Sequence, residues 1–270
     1  MSDTEFSSEN FAEFLRAQAS FGGGAETAFD GDNLLSFGAT TQPAGPFNSL
    51  FVRRRTDAAE AVLNDAEARF SARKRGFSAY MMKHSDPELE AETTARGFIA
   101  FGELPVLLLT PRLAPSGACE LLRARRVRSN HATSEFVELV AECYAETGLP
   151  RAATLASFSR RDALLAPQVH AFVFDLDGAA AAVGMVVMSS TFAGLYWIGT
   201  RPASRRRGLG AACTRMLCQH AFESGAQAVV LQAAAAAAGV YRRLGFREIG
   251  RLACYCRPHA APTARSGLRA

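Results

Sequence analysis

The sequence RRRGLG at positions 205–210 places two glycines and three arginines just after a short apolar run, Leu195 to Thr200. From Leu209 to Ala221 apolar residues recur every three or four positions, which is typical of an amphipathic helix. The first turn of a helix carries unpaired amides and a partial positive charge, so a glycine turn that enters it can hold an anion. We therefore predict a strand, an anion-binding turn and a helix in this order.

Two features downstream extend this unit. A short β-rich run, Val229 to Gln232, is followed by a helical pattern that ends in YRRLGF at positions 241–246. Alternation of such strands and helices predicts an α/β fold. The phosphorylated ligand that the turn predicts would lie between these elements.

The sequence shows the features of neither a membrane-spanning protein nor a secreted protein. The chain has 270 residues and a net charge of +4, and its longest run of small and apolar residues, Gly178 to Met188, is shorter than the roughly 20 residues that cross a bilayer. The N-terminus is acidic and polar and lacks a signal-peptide pattern. We expect a cytoplasmic protein without a membrane partner.

The cysteines and arginines argue against a metal site and against a nucleic-acid partner. The six cysteines form no Cys-x-x-Cys pair and several occupy apolar positions, so reduced buried thiols are favoured over disulfides or zinc, and we predict no metal site. Arginines cluster at positions 53–55 and 123–128 without interleaved aromatic residues. Solvated strand edges explain these clusters better than a nucleic-acid partner does.

The first half predicts mixed α and β structure. We expect helices at Phe11–Ala19, Asp57–Arg73 and Pro87–Arg96, and strands at Asn33–Phe37, Ser49–Arg53, Phe77–Met82 and Phe98–Thr110, the last as one strand or as a bent pair broken at Pro105. The two prolines and the Ser-Gly pair in Pro111 to Gly117 predict a domain boundary, which gives domains 1–115 and 116–270.

The second half repeats this pattern. Before the glycine turn we expect a strand near Leu121–Val127, helices at Ser134–Glu146 and Ala152–Leu165, and a hairpin around the Asp177-Gly178 turn. A shift of 148 positions places Asp57 on Arg205 and Gly97-Phe98 on Gly245-Phe246, which indicates an internal duplication. In the first copy Asp57 and Glu60 stand at the turn and Thr93 replaces Tyr241, so that copy should not bind the same ligand.

The pattern Arg205-x-x-Gly208-x-Gly210 followed by Tyr241-x-x-x-Gly245-Phe246 resembles the GCN5-related N-acetyltransferase (GNAT) superfamily. The resemblance covers roughly residues 120–258. It implies an α/β fold of the α+β kind, with a mixed central sheet flanked by helices. It also implies a tandem protein of two GNAT-like modules, in which the first is degenerate and the second is complete and binds acetyl-CoA. It also implies transfer of an acetyl group to a primary amine of a small molecule or peptide.

The resemblance assigns roles to individual residues. The pyrophosphate of acetyl-CoA would lie on the turn formed by Arg205, Arg206, Arg207, Gly208, Leu209, Gly210 and Ala211. The amides of Ile198 and Thr200 would line the pantetheine arm. Tyr241 would be the general acid that protonates the departing thiolate, although a purely structural role at the end of its helix is the alternative.

The sequence departs from the family pattern at two points. One concerns a contact with the cofactor, and the other concerns the general base for the acceptor. The family often has Asn where this chain has Ala234, so Gln232 is the candidate replacement. The acidic residue that often precedes the arginine turn is absent, and no general base is visible. Asp175, Asp177, Ser189, Ser190 and His170 are all better explained by turns, strand ends or β-structure.

Several alternatives stay open at this stage. Tyr196 and Trp197 should point to opposite faces of their strand, with one in an acceptor pocket or both in the core. Arg242 and Arg243 would contact the 3′-phosphate of CoA or remain solvated. The chain could instead be a non-catalytic acyl-CoA sensor or transfer a longer acyl group. The acceptor and the oligomeric state cannot be read from the sequence.

Overall fold

The computed structural model describes residues 2–23, 26–43, 45–83, 85–111 and 122–259. The strands in these ranges are β1 (Glu26–Asp30), β2 (Asn33–Phe37), β3 (Asn48–Val52), β4 (Phe77–Met82), β5 (Ile99–Leu109), β6 (Leu122–Arg126), β7 (Val169–Leu176), β8 (Ala179–Ser189), β9 (Phe192–Thr200), β10 (Ala228–Gln232) and β11 (Arg247–Arg257). The α-helices are α1 (Asp3–Ser20), α2 (Ala59–Ala72), α3 (Pro87–Ala95), α4 (Asn130–Tyr144), α5 (Arg151–Ser157), α6 (Leu209–Glu223) and α7 (Ala235–Arg243).

All of these strands join one mixed sheet in the order β1-β2-β3-β4-β11-β5-β10-β9-β8-β7-β6. The last strand of each half is inserted into the other half. β5 pairs antiparallel with both β10 and β11, and β11 pairs antiparallel with both β4 and β5. The two halves therefore share their central strands, and neither has a complete sheet without the other.

The helices cover the sheet in two layers. On one face α1, α4 and α5 pack over a core that spans both halves and includes Phe11, Phe51, Phe136 and Val183. On the opposite face α2 and α3 cover the first half, and α6 and α7 cover the second. The α/β fold with a mixed, helix-flanked sheet is thus confirmed.

The predicted internal repeat agrees with the positions of the elements. A shift of 148 residues carries α3 (Pro87–Ala95) onto α7 (Ala235–Arg243) and β5 (Ile99–Leu109) onto β11 (Arg247–Arg257), with the same boundaries. The boundary predicted at Pro111 to Gly117 lies, apart from Pro111, outside the described residues, as does Cys119. The division into 1–115 and 116–270 stays a prediction.

Several predicted boundaries need correction. Helix α1 begins well before Phe11 because Ser2 and Glu5 form a capping box at its start. Strand β1 was not predicted, because its mostly exposed residues show no apolar alternation. The helix predicted at Ala152–Leu165 is broken in two, because the fully buried Phe158 turns inward and the Arg160 amide donates to the carbonyl of Phe21.

No helix in the described part of the chain is long and apolar enough to cross a membrane.

Candidate functional site

The site begins where two parallel strands separate. β9 and β10 are paired only at Phe192 with Ala228, Ala193 with Val229, and Gly194 with Val230. β9 then continues to Thr200 without a further β10 partner, while β10 stays on β5 as far as Gln232. The carboxyl ends of these two strands are therefore not paired with each other, and we call the space between them the opening.

A bulge marks the unpaired part of β9. Trp197 has φ +52°, and the register with β8 shifts between Val183 and Met185. The bulge turns both aromatic side chains toward α1: the Tyr196 hydroxyl donates to Asn10 Oδ1 (2.7 Å), and Trp197 Nε1 donates to Gln18 Oε1 (2.9 Å). The prediction that they point to opposite faces is wrong, and both are buried in the core.

The glycine turn enters α6 as the sequence predicts. Gly208 has φ +78° and is the N-cap of α6. A Cβ at Gly208 or at Gly210 would meet no atom within 4 Å, so space is open beside both residues. Glycine is the residue that adopts a left-handed N-cap such as Gly208 without steric strain.

Most of the amides predicted to bind pyrophosphate are free of backbone partners. Within the described ranges, the amides of Arg206, Arg207 and Gly208 donate to no backbone carbonyl. Leu209 and Gly210 occupy the first helical positions, where an intrahelical acceptor does not exist. The Ala211 amide differs, because it already donates to the Gly208 carbonyl at 3.1 Å.

The side chain of Arg205, which is itself exposed, connects the turn to neighbouring elements. Its guanidinium forms an ion pair with Glu146 (2.5 Å) and donates to the backbone carbonyls of Cys143 and Thr200, both at 3.2 Å. Arg207 approaches Asp177 at 3.6 Å. The structure thus ties Arg205 to α4 and to the end of β9, while Arg206 and Arg207 are exposed.

Tyr241 lies near the end of α7, and its ring packs edge-to-face on Phe246 with centroids 5.9 Å apart. Burial, with a smaller contribution from Cys218, raises the pKa of Tyr241 to about 12. Gly245 ends the helix in a left-handed conformation (φ +100°), and the Phe246 amide donates to the Tyr241 carbonyl. The Gly-Phe pair therefore fixes the position of this phenol.

The remaining predicted cofactor residues lie along the opening. Ile198 is half-buried on the unpaired part of β9, and Thr200 ends that strand. Gln232 is the half-buried last residue of β10. The structure thus brings Ile198, Thr200 and Gln232 to the carboxyl ends of these two strands, with α6 beginning beyond β9 and α7 beyond β10.

The sequence did not single out the end of α4, which holds the outer half of β9. The Tyr144 hydroxyl donates to the Ile198 carbonyl at 2.9 Å, and Glu142 forms an ion pair with Arg201 at 2.8 Å. A Cβ on Gly199 would lie 2.7 Å from Cys143 Cβ, so this close approach requires glycine. Gly199 inside an apolar strand was the one available signal.

Contacts or turn conformations explain the five side chains that were rejected as general bases, including Ser190, which has φ +39° in the turn after β8. Asp175 pairs with Arg125 (2.5 Å), and Asp177 has φ +53° in the predicted hairpin turn. Ser189 accepts from Asn10, and His170 Nδ1 lies 2.8 Å from His220 Nε2. No group of three or more metal-ligating side chains occurs in the described residues.

The turn, the strand opening and the Tyr-x-x-x-Gly-Phe segment lie within a sequence that matches a known family. Residues 133–246 match the acetyltransferase (GNAT) family. The chain carries a GNAT domain. The prediction of a GNAT-type N-acetyltransferase is thereby confirmed at the level of the family. No curated protein matches the sequence significantly.

Solved structures of GNAT proteins share the fold over nearly the whole chain. A GCN5-related N-acetyltransferase from Kribbella flavida is 20% identical, with a TM-score of 0.69, and 93% of this chain and 96% of that one are covered. A tandem GNAT protein from the clavulanic acid biosynthesis pathway is 13% identical, with a TM-score of 0.53 and coverage of 94% and 96%. A GCN5-related N-acetyltransferase from Sphaerobacter thermophilus is 15% identical, with a TM-score of 0.62 and coverage of 85% and 78%. At these identities the likeness concerns the fold.

Proposed function

We propose that this protein is an acetyl-CoA-dependent N-acetyltransferase that acylates a primary amine of a small molecule or peptide. The observation that carries the proposal is the meeting of three features in one half: the unpaired ends of β9 and β10, the open glycine turn, and the half-buried Tyr241. We propose acetyl as the acyl group on the family resemblance alone, and a longer acyl group is the variant to test.

The residues present fit a diphosphate at the turn. The free amides of Arg206, Arg207, Gly208, Leu209 and Gly210 would donate to its oxygens, and the two exposed arginines add positive charge. The open space at Gly208 and Gly210 would let the oxygens approach the backbone. Ile198, Thr200 and Gln232 would line the arm that runs along the opening.

Bound acetyl-CoA would supply an acyl group activated as a thioester, and its transfer to an amine releases a thiol. Tyr241 would donate its phenolic proton to the departing sulfur. A pKa of about 12 keeps this phenol protonated throughout the neutral range, as a general acid requires. Amides of the unpaired part of β9 would stabilise negative charge on the reacting carbonyl oxygen.

The non-catalytic sensor is the second candidate, and one observation favours it. Helix α1 lies over the bulge of β9, where Phe14 stacks on Tyr196 with ring centroids 3.8 Å apart and Gln18 holds Trp197. This helix covers the face of the strand on which an acceptor pocket was considered. A chain that holds acyl-CoA but admits no acceptor would act through binding alone.

A screen of primary amines with detection of the released thiol distinguishes the two candidates. The enzyme predicts acetyl-CoA-dependent thiol release with at least one acceptor, and mass spectrometry should show the acetylated amine. Tight binding of acetyl-CoA without turnover on any amine would favour the sensor. If the thiol is released faster from a longer acyl-CoA than from acetyl-CoA, the donor is that longer acyl-CoA.

A further inference from the structure

We propose that Tyr144 is a positioning residue that holds the outer half of β9 apart from β10 and so keeps the acyl-CoA opening formed. This inference rests on the proposed function for its ligand. The hydroxyl of Tyr144 donates to the Ile198 carbonyl at 2.9 Å, and its ring packs edge-to-face on Trp197 with centroids 5.0 Å apart. Both contacts fall on the bulged segment of β9 that lacks a β10 partner.

The bulged segment needs an external partner. A non-glycine residue in the left-handed region, as Trp197 is, persists only where its surroundings hold it. Beyond Gly194 the strand has lost the hydrogen bonds that β10 would otherwise provide. Tyr144 supplies one bond to the backbone at this point, and because the peptide unit is planar, fixing the Ile198 carbonyl also fixes the adjoining Gly199 amide.

Other residues at the end of α4 also contact the outer half of β9 and the glycine turn. Glu142 binds Arg201, the Cys143 carbonyl and Glu146 bind Arg205, and Cys143 lies directly against Gly199. These contacts run from the bulge to the glycine turn. Among them, only the Tyr144 hydroxyl contacts the backbone within the bulge, so it is the group whose removal isolates the effect on the opening.

Tyr144 is suited to a permanent structural bond and not to proton transfer. Burial raises its pKa well above the usual range, and nearby Tyr241 raises it further. The phenol therefore keeps its proton and donates it to Ile198. A shift of β9 would move Ile198 and Thr200, which are proposed to line the pantetheine arm.

The variant Tyr144→Phe removes the hydroxyl and keeps the ring against Trp197. The control is Tyr80→Phe in β4, where a buried tyrosine of the first half loses the same atom. Acetyl-CoA binding is followed by the fluorescence of Trp197, which is the single tryptophan of the chain and lies in the bulge. Backbone amide exchange over residues 195–201 is measured separately, without ligand.

We expect Tyr144→Phe to bind acetyl-CoA about tenfold more weakly than the wild type and to exchange its amides over 195–201 at least tenfold faster, since one buried hydrogen bond is lost. Tyr80→Phe should leave both unchanged. Wild-type affinity in Tyr144→Phe, within a factor of two, would overturn the proposal. If the wild type binds no acetyl-CoA, the proposed function fails, and exchange alone decides: faster exchange supports the positioning role and unchanged exchange rejects it.

Discussion

The two halves of the molecule differ most at their pairs of parallel strands. In the first half β3 and β4 stay paired to the end of β3, where Val52 lies opposite Met81. In the second half the corresponding pair separates after Gly194 and Val230, and β9 continues alone to Thr200. The end of α4 contacts this free end, where the Tyr144 hydroxyl donates to the Ile198 carbonyl. We infer that the opening depends on this contact as well as on the residues at the turn.

Charge at the turn reinforces the difference. The first half has an open cavity of about 500 Å³ at the start of α2, lined among others by Asp57, Glu60, Glu88 and Glu92. Carboxylates at this position would repel a diphosphate, whereas the second half offers open glycines and free amides. We therefore infer that the first half stabilises the second without binding the same ligand.

The largest expected effect is a loss of stability, because the two halves share their central strands. Phe70 is buried in the first half and stacks on Phe77 with centroids 4.3 Å apart. Phe70→Ala should lower the free energy of unfolding by about 3–5 kcal/mol. Because β5 and β11 are exchanged, we expect one cooperative transition for the whole chain in calorimetry. Two separate transitions, with the upper one unaffected by the variant, would show that the halves are independent.

The next effect concerns turnover in the second half. Tyr241→Phe should lower kcat about 100-fold, because it removes the proposed proton donor for the leaving thiolate. The dissociation constant of acetyl-CoA should stay within about twofold of the wild type, since the ring and its contact with Phe246 remain. Thr93, the matching residue of the first half, supplies the control: Thr93→Val should leave kcat unchanged. Full activity in Tyr241→Phe would remove this residue from the mechanism.

Ligand affinity should depend on open space at the turn. Gly210→Val introduces a side chain where the protein leaves more than 4 Å free, so the fold should persist. We expect about 100-fold weaker acetyl-CoA binding in calorimetric titration, because charge-assisted hydrogen bonds to the helix amides are blocked. Ala61→Val, on the exposed first turn of α2, is the matched change in the first half. Equal affinity for wild type and Gly210→Val would place the ligand elsewhere.

The smallest effect is a pH dependence of stability that belongs to the second half. Burial and then Arg126 lower the pKa values of His170 and His220; Arg128 also lowers both, and Glu223 opposes this at His220. The unfolded chain therefore takes up protons that the native protein does not, and the free energy of unfolding should fall as the pH drops through about 6.5.

Between pH 7.5 and 5 the wild type should lose stability equivalent to a few degrees in Tm. In His220→Gln the free energy of unfolding, measured with denaturant, should depend less on pH over the same range. His131→Gln, at the exposed start of α4, is the control and should leave the slope unchanged. A slope in His220→Gln equal to that of the wild type would assign the pH dependence to other groups.

Local patterns predicted much of this architecture. The α6 turn, the Asp177-Gly178 hairpin, α7 and the repeat of 148 residues all follow from glycine placement and periodicity, which are properties of short segments. Within the described residues the amides of Arg206, Arg207 and Gly208 donate to no backbone carbonyl, and space is open beside Gly208 and Gly210. Their role in binding a diphosphate stays a prediction.

What the sequence did not predict depends on contacts between distant segments. The exchange of β5 and β11 joins strands separated by more than a hundred residues, and no local signal encodes it. The bulge at Trp197 reversed one side chain and made the alternation rule fail there. The brace from Tyr144 arises only when α4 packs on β9, with Gly199 as its single trace in the sequence.

The central claim is that one of two similar halves holds acyl-CoA. Isothermal titration of the full chain with acetyl-CoA measures this directly as a binding stoichiometry. We predict one site per chain, weakened about 100-fold by Gly210→Val and unchanged by Ala61→Val. Two sites per chain, or one site that is insensitive to Gly210→Val, would contradict the account.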